Sequence, residues 1–236
     1  MGIKIKNMNK KILIIEDNAG IRMSITDELE SEGYRVITTG NGIEGLSLVK
    51  EQKPDLIILD IMLPGIDGYE VCKRLRMEGI TTPIIMLTVK DKEIDKVLGM
   101  ELEADDYVTK PFSVRELSVR VKTIFRRMEE YSGESETHHI GETSLDFRKY
   151  EAIRKGVKID FTPLEFQILH YLVKKRGSVI SRTELLENVW GEHNVVISLR
   201  TIDTHIASIR RKLGDDPVNP GFIVNIRGVG YKLTDS

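Results

Sequence analysis

At 236 residues the chain exceeds the commonest domain size, so two domains, each able to bury its own core, are expected. The net charge of −2 conceals an uneven split, because residues 138–236 hold 15 Lys and Arg against 12 Asp and Glu (+3) and the remainder 20 against 25 (−5), which admits nucleic acid as a partner of the second half. The single cysteine, Cys72, suits a reducing compartment, and with no apolar run near the roughly 20 residues of a membrane span and no signal-peptide core in "MGIKIKNMNKK", a cytoplasmic protein without membrane contact is expected.

Short apolar runs and amphipathic stretches alternate through the first half. The expected strands are "KILIIE" (11–16), "YRVITT" (34–39), "DLIILD" (55–60), "PIIMLT" (83–88) and "DDYVT" (105–109), with helices over 19–32, 42–51, 68–77, 91–102 and 113–128. Near-continuous aliphatic strands separated by helices predict a parallel sheet covered on both faces, hence a doubly wound α/β domain. After Arg127, "MEEYSGESETHH" is polar and aperiodic and reads as a linker. The boundaries are then 10–128, 129–137 and 138–236. Beyond it, "SLDFRKYEAIRKGVKIDF" alternates and turns at Gly156, as short antiparallel strands do. "TPLEFQILHYLVKK" opens with Thr162 as a cap and Pro163 at the first helical position, and "SRTELLENVW" and "SLRTIDTHIASIRRKL" read as further helices. The closing "GFIVNIRGVGYKL" gives two strands around Arg227-Gly228. Three helices followed by a hairpin predict a winged helix-turn-helix.

In an open α/β sheet, ligands bind beyond the carboxyl ends of the strands. The expected strand ends carry Glu16 and Asp17, Asp60, Thr88, and Lys110 just past the fifth. Three carboxylates gathered there repel one another unless a cation lies among them, and an all-oxygen set suits Mg²⁺, which works with phosphate. Lys110 can pair with Asp60 or with a phosphoryl oxygen, and Thr88 offers a hydroxyl donor. The set is a candidate phosphoryl-transfer site with Asp60 as nucleophile, since carboxylates form acyl phosphates. Singly, each residue is more simply a cap, a turn or a surface group; the joint placement at four strand ends carries the reading.

"IIEDN", "LIILDIMLPGIDGYE", "IIMLT" and "ADDYVTKPF" resemble the receiver domain of two-component response regulators, and with the second half the whole chain resembles their winged-helix (OmpR/PhoB) class. The resemblance implies a flavodoxin-like five-stranded receiver joined to a winged-helix DNA-binding domain, a transcription regulator rather than an enzyme. It implies that Asp60 accepts a phosphoryl group from a sensor histidine kinase. It further implies that Glu16, Asp17, Asp60 and the backbone carbonyl of Met62 hold Mg²⁺, that Lys110 contacts the phosphoryl group, and that Thr88 and Tyr107 form a switch pair. The cis peptide typical of this motif falls at Lys110-Pro111.

One rival comes from "GNGIEG" (40–45), which satisfies G-x-G-x-x-G, follows an expected strand and has an acid, Asp60, 20 residues on. A nucleotide-dependent enzyme would fit that pattern. Yet the fingerprint normally follows the first strand, and hydride transfer explains neither Glu16-Asp17, Lys110 nor a winged helix. A haloacid-dehalogenase-type phosphatase would need Asp-x-Asp where this chain has Asp60-Ile61-Met62.

In the third helix of the second half, Leu199, Ile202, Ile206, Ile209 and Leu213 form one apolar stripe, opposite Arg200, Thr204, Ala207, Ser208 and Arg211. A face of cations and small polar groups suits the major groove. The resemblance implies that Arg200, Thr204, His205 and Arg210 face bases or phosphates and that Arg227 enters the minor groove from the wing. Some relatives carry Arg at Ala207 and Ser208, so single domains are expected to bind weakly and to act as dimers. Trp190 is expected in the core, and "GEHNVVIS" (191–198) is a candidate contact for RNA polymerase. In this class a phosphorylation-dependent homodimer forms on one face. Here that face implies Lys96 with Glu116, and Asp105 and Asp106 with Arg120 and Arg127, around Val97 and Met100. Glu103 departs from the Gly common in relatives at the preceding helix end.

Overall fold

The computed structural model describes residues 10–89, 104–129, 137–190, 199–216 and 218–234. These fall into two compact units that meet in sequence between Arg127 and Met128. The expected helix over 91–102, with Lys96, Val97 and Met100, lies outside the described residues, as do Glu103 and the 191–198 loop. No helix among the described residues is long and apolar enough to cross a membrane.

The first unit is built on five strands, β1 (Lys11–Ile15), β2 (Arg35–Thr39), β3 (Leu56–Asp60), β4 (Ile84–Val89) and β5 (Asp106–Lys110). They are all parallel, in the order β2-β1-β3-β4-β5. Helices α1 (Ala19–Ser31), α2 (Gly42–Gln52), α3 (Gly68–Met77) and α4 (Val114–Glu129) alternate with them. Every residue of β3 is buried, as a central strand covered on both faces must be, and each fully buried aliphatic side chain contributes about 1.5–3 kcal/mol. Asn18, Asn41 and Asp67 cap α1, α2 and α3 by accepting backbone N–H bonds in the first turn. The chain reverses its direction of winding between β1 and β3, which makes the crevice beyond their carboxyl ends the switch point of the sheet. The Lys110-Pro111 peptide is cis, as expected.

"GNGIEG" finds a structural explanation here. It follows the edge strand β2, away from the switch point. Asn41 caps α2, and a Cβ at Gly45 would meet Ile15 Cδ1 at 2.5 Å. The last glycine lets the helix lie close on the sheet.

The second unit opens with the antiparallel sheet β6 (Thr137–Ile140), β7 (Thr143–Asp146), β8 (Glu151–Arg154) and β9 (Val157–Ile159). Three helices follow, α5 (Pro163–Lys174), α6 (Arg182–Trp190) and α7 (Leu199–Leu213), and a sheet ordered β10-β12-β11 from Val179–Ser181, Gly230–Leu233 and Ile223–Ile226. The hairpin turns where expected, with Gly228 at φ +74° between Ile226 and its ladder partner Gly230. The turn at Gly156 has φ +79°. Strands β6 and β10 were not expected: "THHI" lacks strand alternation and "VIS" is three residues long.

Candidate functional site

At the switch point, Glu16 and Asp17 follow β1 and Asp60 ends β3. Oxygens of the three carboxylates lie within 4.8 Å of one another. Glu16 and Asp60 are buried and Asp17 is exposed. Lys110, at the end of β5, reaches across and donates from Nζ to Glu16 Oε2 (2.7 Å) and Asp60 Oδ2 (2.9 Å). Burial pushes the Glu16 carboxyl above its ordinary value; Lys110 opposes this and the Asp60 charge reinforces it. Burial alone would depress the Lys110 ammonium, but the hydrogen bonds and charges of Asp60 and Glu16 outweigh it and the net direction is up.

One ammonium does not neutralise three carboxylates. Asp60 Oδ1 is buried and accepts no hydrogen bond among the described residues, and an orphaned buried acceptor is rare. An oxygen-only set with one carboxylate open to solvent fits Mg²⁺, which retains water, better than it fits zinc, which favours His and Cys. Met62 lies in the loop beyond Asp60 with its side chain exposed.

Two further residues frame this site. Arg22 donates from Nη1 to the backbone oxygens of Glu16 (2.5 Å) and Asp17 (3.1 Å), which pins the turn carrying both acids. Its sequence signal is weak, a cation in the first turn of a helix, where the dipole disfavours it. Gly68 is the other. A Cβ there would stand 2.2 Å from the Asp60 carbonyl oxygen, so α3 can start against the Asp60 backbone only with glycine.

Thr88 and Tyr107 occupy adjacent strands. The Thr88 hydroxyl donates to Val89 O at 3.1 Å. The Tyr107 ring is buried, and burial pushes its phenol well above its ordinary value. Of the expected dimer-face pairs, Asp106 and Glu116 both engage Arg120 within the chain, at 3.2 and 3.0 Å. Arg127 is half-buried.

Asp105 does not belong with them. It is 4% exposed and pairs with Arg76 at 3.0 Å, while also accepting the Ile84 N–H at 2.9 Å. Arg76 in turn donates to the carbonyls of Ile80 and Thr82. The adjacent acids Asp105 and Asp106 are both buried but take different partners, Arg76 and Arg120. Asp105→Ala is therefore expected to destabilise the first unit by about 3–5 kcal/mol, the cost of orphaning a buried guanidinium. Chemical denaturation checks this; an unchanged midpoint with weakened dimerisation would restore the dimer-face role.

In the second unit, Ile202, Ile206, Ile209 and Leu213 are buried as expected, but Leu199 is 45% exposed at the start of α7. His205 and Ser208 are corrected: both are buried. His205 packs on Trp190, ring centroids 5.9 Å apart. Trp190 itself is core, as expected. The buried face of α7 is wider than its apolar stripe because of Glu165. That fully buried carboxylate completes the Thr162 capping box and accepts from Ser208 Oγ (2.7 Å) and Lys212 Nζ (2.6 Å). Arg210 is also turned inward, donating from Nε to Ile223 O at 2.9 Å and lying over the Tyr231 ring. Arg182 also lies over that ring, 4.8 Å from its centroid, and its Nε meets Asp203 at 2.7 Å. Burial, with a hydrogen bond to Asp203, pushes the Tyr231 phenol up to about 12. One line on α7 holds exposed Arg200, half-buried Thr204 and exposed Ala207 and Arg211, at spacings of four, three and four. Arg227 is exposed at the hairpin turn.

Known proteins agree with this architecture. The family described as "Response regulator receiver domain" matches residues 12–122, and "Transcriptional regulatory protein, C terminal" matches 156–233. The alkaline phosphatase synthesis transcriptional regulatory protein PhoP of Bacillus subtilis (strain 168) is 45% identical over 236 residues, covering 97% of this chain and 98% of that protein. Two solved structures of RitR mutants share the fold, with TM-scores of 0.73 and 0.74 at 25% and 24% identity over 97% of this chain and 100% of theirs. A 2-1-3-4-5 parallel sheet that matches the receiver family, a second unit that matches the transcriptional-regulator family, and a relative 45% identical over 97% of the chain lead to one conclusion: the chain belongs to the OmpR/PhoB family of two-component response regulators, which regulate transcription through a receiver domain and a DNA-binding domain.

Proposed function

We propose that Asp60 is the phosphoryl acceptor of this regulator, charged by a sensor histidine kinase in the cytoplasm, and that its phosphorylation promotes dimerisation and promoter binding. The observation that carries this is the buried Asp60 carboxylate sharing Lys110 with Glu16 at the switch point of the sheet. Glu16, Asp17, Asp60 and the Met62 carbonyl would hold Mg²⁺, which when bound supplies positive charge for the phosphoryl oxygens. Lys110 transfers one of its two ion pairs to the incoming phosphoryl group. Thr88 then exchanges the Val89 carbonyl for a phosphoryl oxygen, and Tyr107 fills the space its hydroxyl leaves. This pair is a two-state element of the kind that a new charge can bias. Arg120, Asp106, Glu116 and Arg127, with Lys96, Val97 and Met100, form the dimer face, and the 191–198 loop meets RNA polymerase. The domain boundaries are those at 10–128, 129–137 and 138–236. Intact-mass measurement with Mg²⁺ and a small phosphodonor should show one phosphoryl adduct; its absence refutes the reading.

Arg200, Thr204 and Arg211 are the groups of α7 we assign to the major groove, with Arg227 as the wing contact. Arg200→Ala should weaken operator binding by about 1–3 kcal/mol and relax preference at one base position. Footprints of wild type and variant on the same promoter compare them, and an unchanged footprint removes Arg200 from the base-reading set.

A further inference from the structure

We infer that the second unit carries an anion pocket, away from its DNA-facing helix, suited to a small free oxyanion of the phosphate type. Edge strand β6 and the end of α5 border an open cleft lined by His138, His139, His170, Lys174 and Arg176, together with Thr137 and Val173. None of its described lining residues is acidic.

The lining is organised by an apolar ring. His138 and His170 both pack on Phe147, with ring centroids 5.5 and 5.0 Å away, so two imidazoles from different elements face one space. Arg176 Nη2 donates to His139 O at 2.6 Å, tying the turn after α5 to β6. The groups are near enough to oppose one another's charge: burial first, then Lys174 and His138, lower the His170 pKa. An acid facing the group from β7 would weaken the case. Asp146 stands across the ladder from Thr137, but it accepts from Lys149 N at 3.0 Å and pairs with Lys149 Nζ at 3.5 Å.

Cations at the end of a helix also complement its dipole, which accounts for Lys174 and Arg176 singly. It does not account for imidazoles contributed by a separate strand, or for their bordering one cleft with those cations. Guanidinium, ammonium and protonatable imidazoles together match a multiply charged oxyanion. DNA is not the fitting source. Gly177 N donates to Leu233 O at 2.9 Å, so the turn after α5 lies at the end of β12 opposite the Arg227 tip.

Calorimetric titration of the full unphosphorylated chain with sodium sulfate, in low salt with a chelator, tests this, because sulfate keeps its charge across neutral pH. Saturable binding about tenfold tighter at pH near 6 than near 8 is expected, corresponding to one unit of histidine pKa linkage. His170→Gln should remove the pH dependence, and Lys174→Ala, at an exposed position that leaves the core intact, should weaken binding at both pH values. Asp60→Asn and Arg200→Ala should leave binding unchanged. No saturable binding, or binding indifferent to Lys174→Ala, overturns the inference. So does loss of binding in Arg200→Ala, or a fall in operator affinity in Lys174→Ala matching that of Arg200→Ala, which would make the occupant a DNA phosphate.

Discussion

The Asp60→Asn chain, given Mg²⁺ and a small phosphodonor, should gain no phosphoryl mass under conditions where wild type gains one group. The amide keeps the shape of the carboxylate and removes its nucleophilic oxygens, so the loss is expected to be complete. Stability should move the other way. Wild type holds two buried acids around one ammonium beside a third, exposed acid, and removing one negative charge relieves repulsion among them. Lys110 retains Glu16 at 2.7 Å. A thermal midpoint equal to or above that of wild type, combined with no adduct, separates lost chemistry from lost folding. An adduct of equal yield on the variant would move the acceptor elsewhere, and exposed Asp17 would be the first position to test.

The second large effect lies in the other unit. Glu165→Ala should cost about 3 kcal/mol, because it strands a half-buried ammonium along with a buried hydroxyl and a buried backbone N–H. Lys212, Ser208 and the Thr162 N–H all converge on this one carboxylate. Operator binding should fall with stability, since two of those partners belong to α7. The chain's one tryptophan, Trp190, lies in this unit against His205, so its fluorescence in a urea titration reports the change directly. A midpoint matching wild type would show that α7 is held by its apolar stripe alone.

Glu165 also shows where sequence reasoning stopped. Periodicity found the apolar stripe of α7 because Ile202, Ile206, Ile209 and Leu213 declare their burial by type. It assigned Ser208 to the open face, and the resemblance assigned His205 to DNA, because polar side chains do not declare burial, and the carboxylate that holds Ser208 inward lies 43 residues away. The same limit explains Asp105, whose mate Arg76 is 29 residues earlier. The receiver site was legible for the opposite reason. Its residues sit at strand ends, and a parallel sheet brings strand ends together whatever the helices between them do. Glu16, Asp60 and Lys110 needed only the order of strands to be recognised. Arg22 and Gly68 needed distances. Arg200 and Arg211 are exposed, as their angle from the apolar stripe of α7 predicts.

Gly68 has a mechanical meaning. A Cβ on Gly68, at the start of α3, would stand 2.2 Å from the Asp60 carbonyl oxygen. The first turn of α3 and the Asp60 main chain therefore lie against each other without a side chain between them, in the manner of a hinge pin bearing directly on a lever. Any side chain at position 68 would have to push the start of α3 off the Asp60 backbone.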